Sequence, residues 1–121
     1  MLVDCDVVGL DLLLRQGRTG DVVGRAVDVE PRLGEADTEV EVSFARVVGT
    51  AEVAHAAETM DPAAREVGVA RIREGLARAR ELHLLYEVYL CLGALADATG
   101  DPDAQAEHLD LAATLGIVTG G

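Results

Sequence analysis

The sequence predicts an all-α fold of three antiparallel helical hairpins stacked side by side. Three observations predict it. First, Thr19-Gly20-Asp21, Thr59-Met60-Asp61 and Thr99-Gly100-Asp101 repeat one punctuation, a helix stop followed by a helix start, with their aspartates 40 residues apart. Fixed-period self-similarity marks a repeat architecture. Second, apolar residues between these marks recur at intervals of three and four, the spacing of one helix face. Third, the chain is 50% hydrophobic, yet its aromatic residues are Phe44, Tyr86 and Tyr89 alone. Ala, Val and Leu must therefore build the core, and small side chains let helices approach closely.

Residues 3 to 16 form the first expected helix, with Val7, Val8, Leu10, Leu13 and Leu14 apolar. Asp21 to Glu35 is its partner, weakened by Gly24 and Gly34. Pro31, late in this segment, removes a backbone donor and should kink or end the helix. Thr38 to about Ala57 is the third helix, carrying Val40, Phe44, Val47, Val48 and Val53. Glu39 to Phe44 alternates polar and apolar residues like a strand, but a lone strand would have no partner here, so helix is expected. Asp61-Pro62 is a strong helix start, a capping carboxylate followed by a first-turn proline. The run to Leu82 places Val69, Ile72, Leu76 and Ala79 on one face. Arg65, Arg71, Arg73, Arg78 and Arg80 lie among Glu66, Glu74 and Glu81. They read as a self-paired, solvated face, with Glu74 and Arg78 in the favoured i, i+4 order, rather than as a site for phosphate or an acidic partner. After a break near His83, Leu84 to Thr99 carries a stripe of Leu85, Val88, Leu92, Leu95 and Ala96. Leu84, Cys91 and Ala98 widen it, as in a helix covered on two sides. Gly100-Asp101-Pro102 starts a last helix, Asp103 to Leu115, with Leu109, Ala112 and Ala113 inward and Gly116 as its left-handed end. The expected units are about 1–35, 36–82 and 84–116 in a single domain 1–118, with 119–121 a frayed tail.

A length of 121 residues suits one domain. The net charge is −12 and every basic residue is Arg. Such a chain repels phosphate backbones, so no nucleic-acid partner is expected. No apolar run reaches the roughly 20 residues of a membrane helix, and no signal-peptide pattern opens the chain. No membrane partner and a cytoplasmic location are therefore expected. Cys5 and Cys91 belong to no motif and read as buried thiols rather than a disulfide.

Chemistry-bearing patterns are few. Glu52-x-x-His55-x-x-Glu58 has the spacing that di-iron helical bundles use, because i and i+3 side chains share a face. Such a site needs a second copy, and neither His83 nor His108 has a Glu three residues before it. Asp4-Cys5-Asp6 reads as helix-start acids. Gly17-Arg18-Thr19-Gly20 lacks the Lys and the length of a phosphate loop and reads as a turn. Ser43 is the only serine. No catalytic residue, metal or cofactor is expected. A metal-carboxylate bundle enzyme and a regulatory segment of a transcription activator are the alternatives.

The third unit resembles a tetratricopeptide repeat. Leu92-Gly93 and Gly100-Asp101 stand at that family's spacing, and Leu109 and Ala112 match its large and small packing positions. Tyr89 replaces a Trp-type position, Ala96 an aromatic one and Gln105 a small one, while the middle unit has Glu52-Val53 in place of Leu-Gly. The resemblance is thus to a degenerate repeat, and it implies a right-handed solenoid. It also implies that the first helix of each pair lines a concave face, which points to Glu87, Leu90, Ala94 and Asp97 as partner-binding residues. Within Gly75 to Val118 stand Leu84-Leu85-Tyr86-Glu87-Val88-Tyr89-Leu90, Leu95-Ala96, Thr99-Gly100-Asp101-Pro102 and Leu115-Gly116-Ile117-Val118. This stretch resembles the C-terminal end of actinobacterial signalling proteins, which join a nucleotide-cyclase domain or a regulatory ATPase to helical repeats. This implies a non-catalytic module that binds a protein partner or self-associates.

Overall fold

The computed structural model describes residues 3–35 and 38–116, except the side chains of 3–6, 34 and 35. The described residues form six α-helices and no strand: α1 Val3–Arg15, α2 Thr19–Val29, α3 Thr38–Thr59, α4 Pro62–Glu81, α5 Leu85–Thr99 and α6 Pro102–Leu115, with a 3-10 turn Glu30–Glu35 between α2 and α3. The expected frayed tail 119–121 and the Ile117-Val118 part of the signalling-protein resemblance lie outside the described residues.

The repeated punctuation works as expected twice. Thr59 ends α3, Met60 turns left-handed at φ 55°, and the Asp61 carboxylate accepts a hydrogen bond from the Ala64 amide. Thr99 ends α5, Gly100 turns left-handed at φ 70°, and Asp101 accepts from the Asp103 amide. In both copies the threonine hydroxyl donates to the carbonyl four residues back, at His55 and at Leu95, and a proline occupies the first turn of the next helix, where its missing N–H costs nothing. The first copy is displaced. Thr19-Gly20-Asp21 lies inside the first turn of α2, and the chain reverses earlier, at Gly17 with φ 76°. Asp21 caps nothing and pairs with Arg18 at 2.7 Å. The Thr19 hydroxyl donates instead to Glu58 at the far end of α3.

Pro31 ends α2 as its chemistry requires, and the 3-10 turn absorbs the change. The strand-like alternation at Glu39–Phe44 is helical, and its cause is packing on two sides. Phe44, Val47, Val48 and Ala51 join Val7, Leu10, Leu13, Val22, Ala26 and Val29 in one core. Val42 joins Val69, Ile72, Leu76, Val88, Leu92 and Leu95 in another. An α3 divided between two cores cannot carry a single apolar stripe.

Each helix packs on the next in sequence, and α3 also touches α1 and α5. The most extensive packing joins α3 to α4. There a Cβ on Gly68 would lie 2.8 Å from the Gly49 carbonyl oxygen, and a Cβ on Gly49 would lie 2.8 Å from that of Gly68. Farther along, a Cβ on Gly75 would meet Ala45 at 3.2 Å. As α4 advances from Gly68 to Gly75, its neighbour on α3 recedes from Gly49 to Ala45, so the two helices run antiparallel.

Two packing expectations in the last pair are corrected. Leu109 and Ala113 are exposed, not inward, whereas Ala112 is buried. Gly93 lies where α5 meets α6. It makes room for the His108 ring, whose Cε1 would lie 2.8 Å from a Cβ there. That ring stacks on Tyr89 at 4.3 Å between centroids. Its Nδ1 lies 2.9 Å from the Tyr89 carbonyl. A carbonyl only accepts, so Nδ1 is the protonated nitrogen.

Gly68→Ala places a methyl against a backbone carbonyl that cannot swing aside. It should destabilise the fold by about 1–3 kcal/mol in chemical denaturation. Gly24, in α2, has open space around its Cβ position, and Gly24→Ala should stabilise by about 0.4–1 kcal/mol through the unfolded chain. A Gly68→Ala protein as stable as the parent would mean that α3 and α4 are not in backbone contact.

Candidate functional site

The placement of α1 against α3 leaves a groove of about 360 Å³ between them. Val7, Leu10 and Leu13 turn α1 toward the core, which leaves Val8 and Leu12, on the other side of the helix, 68% and 56% exposed. Val7, Val8, Val40 and Val47 line the groove, together with Asp11, Glu39, Ser43 and Arg46. Its size is at the low end for small-molecule pockets and matches a few side chains.

Two of the residues that line this groove, Ser43 and Arg46, also bond a buried carboxylate on α5. Arg46 Nε stands 3.1 Å from Glu87 Oε2, with side-chain exposures of 18% and 12%. The Ser43 hydroxyl donates to the other oxygen of that carboxylate at 3.0 Å. The expected role of Glu87 as a partner-binding residue is therefore corrected: the residue is 9% exposed and its carboxylate holds α5 to α3. Leu90 is half-buried, Ala94 is half-buried against the second core, and Asp97 is exposed. The structure does not bring these three to the α1–α3 groove. Sequence reasoning missed the groove because it depends on helices separated by all of α2 and the 3-10 turn. The available signal was Val8, an apolar residue off the buried stripe of Val7, Leu10 and Leu13.

Cys91 lies beside the ion pair and is fully buried. Burial, reinforced by the Glu87 charge and opposed by that of Arg46, pushes its thiol up to about 12. Cys91 is free, whereas the side chain of Cys5, with the rest of Asp4-Cys5-Asp6, lies outside the described residues.

The Glu52-x-x-His55-x-x-Glu58 residues are claimed by different neighbours. Glu52 accepts from Arg71 Nε at 2.6 Å. His55 packs beside Gly20 at the start of α2. Its Nδ1 is buried without a hydrogen bond and lies 3.6 Å from Glu58. Among the described residues no group of three or more His, Cys, Asp or Glu side chains is placed to hold a metal ion. The arginines of α4 also depart from the expected pattern. Arg78 pairs with Glu81, not Glu74, at 3.3 Å. Arg80 reaches Glu107 on α6, Arg65 reaches the Ala98 carbonyl, and Arg71 reaches both Glu52 and Glu30. Burial opposes the charge of Arg71, but its bonds to Glu52 and then Glu30 outweigh burial and hold it above its ordinary value. Most of these cations join helices instead of lying along one face.

Glu87→Leu leaves Arg46 buried without its carboxylate and should cost about 3 kcal/mol in chemical denaturation. The paired change Arg46→Met with Glu87→Leu should recover most of that loss, since an apolar pair can replace a buried ion pair. Equal loss in the single and paired variants would show that the two side chains do not act together. The Cys91 thiol stays protonated in the fold where an unfolded thiol ionises, so its contribution to stability is present below about pH 8.5 and falls as pH rises beyond it. Denaturation at about pH 8 and about pH 10 should show a smaller loss for Cys91→Ala than for the parent.

No family model, curated protein or solved structure matches this chain.

Proposed function

We propose that the chain is a non-catalytic protein-interaction module, built as a degenerate tetratricopeptide-like array of three helical pairs in a right-handed solenoid. The packing pattern supports it. Successive helices pack together, and the first helices of the pairs also touch, α1 with α3 and α3 with α5, while α2 and α4, or α4 and α6, share no comparable contact. Stacked pairs of this kind bury a continuous core and leave one face lined by the first helices. The observation that carries the reading is the open groove between α1 and α3, where four valines stand among polar and charged side chains. Recognition there would rest on surface complementarity with a preformed face, and no bond is made or broken. The wider role, a terminal repeat region in cytoplasmic bacterial signalling, rests on the sequence resemblance.

Metal analysis of protein purified and dialysed without chelator tests the class. Substoichiometric iron and manganese are expected. A stoichiometric content of either would overturn the scaffold reading in favour of a metal-carboxylate bundle.

A further inference from the structure

The groove between α1 and α3 combines four valine side chains with an excess of acidic over basic residues. Val8 and Val40 offer side chains for an apolar anchor. Of the groove's charged residues, Arg46 is already neutralised by Glu87 on α5. Asp11 pairs at 3.0 Å with Arg15, whose side chain is 76% exposed, a surface pair that water and salt weaken. Glu39 is exposed, and its side chain makes no hydrogen bond or ion pair among the described residues. The charge available to a ligand at the rim is therefore negative. The whole chain adds a net −12, which draws cations toward the surface and drives a second copy of this chain away.

We infer that the groove docks a short basic segment of another protein, with an apolar side chain seated against Val8 and Val40 and a Lys or Arg beside Glu39 and Asp11. This rests on the reading of the chain as an interaction module. Complementary charge sets approach and orientation, while the apolar anchor gives the contact its position.

The test is fluorescence anisotropy with two labelled peptides of equal length, one alternating Leu and Arg and the other Leu and Glu. Binding of the Leu/Arg peptide is expected. Glu39→Lys should weaken it roughly fivefold, and Val8→Gln, a helix-compatible change at an exposed position, should weaken it by a similar factor. Asp110→Lys, on α6, makes the same change in net charge and should have little effect. Equal weakening by Glu39→Lys and Asp110→Lys would reduce the binding to general charge attraction and overturn the site. Stronger binding of the Leu/Glu peptide, still lost in Val8→Gln, would overturn the basic chemistry and leave the groove as a docking surface. Indifference of both peptides to Val8→Gln, or no binding of either, would overturn the groove itself. A dimer seen by light scattering and lost in Val8→Gln would assign the groove to a second copy and overturn the proposal.

Discussion

The backbone contact between α3 and α4 at Gly49 and Gly68 fixes the position of the remaining elements. With any side chain at either glycine, the carbonyl of the other helix would be overlapped, so the helices could not pack at this distance. This closeness matters because α3 packs against α1, α2, α4 and α5. It is also the wall between the two apolar cores, with Phe44, Val47 and Val48 on one side and Val42 on the other. Moving α4 outward would open the second core and loosen the seat of α5, without which Glu87 could not reach Arg46. The fold is thus organised around one helix that has almost no free face.

Charge reinforces that arrangement from the periphery. Arg71 bonds Glu52 on α3 and Glu30 at the start of the 3-10 turn, and its guanidinium lies 5.8 Å from the centre of the Phe44 ring. A single side chain therefore ties together three segments and covers an edge of the first core. In a chain with 22 acidic and 10 basic residues, arginines spent on such links are not available to balance the surface. The internal joints take up cations and the outer faces are left acidic, which is how the groove rim comes to be negative while Arg46, next to it, is silent.

The helices were legible in the sequence because their signals are local. Asp61-Pro62 and Asp101-Pro102 act within one turn, and Pro31 acts on its own backbone. The Thr-x-Asp mark at Thr19 misled because the same three residue types can open a helix or sit inside its first turn, and the deciding left-handed residue, Gly17, lies two positions before it. Glu87 misled for another reason. On α5 it occupies a position that suits a surface, and only the approach of α3, with Ser43 and Arg46, buries it. At Gly93 the contacting group is the His108 ring, which lies on α6 and follows no spacing rule. Long-range partners of this kind leave no periodic trace.

In the docking proposed for the groove, two scales of interaction divide the work of recognition. At physiological salt a charge is screened beyond about 8 Å, so the acidity of the whole chain can collect basic segments near the surface but cannot distinguish where they settle. Discrimination has to come at contact distance, and in the groove that contact is with Val8 and Val40. Val40 is partly buried against the first core, and its position is set by the same packing that places Phe44. A change that loosens the α3–α4 contact should therefore weaken recognition without touching the groove, because it moves the wall on which the apolar anchor rests.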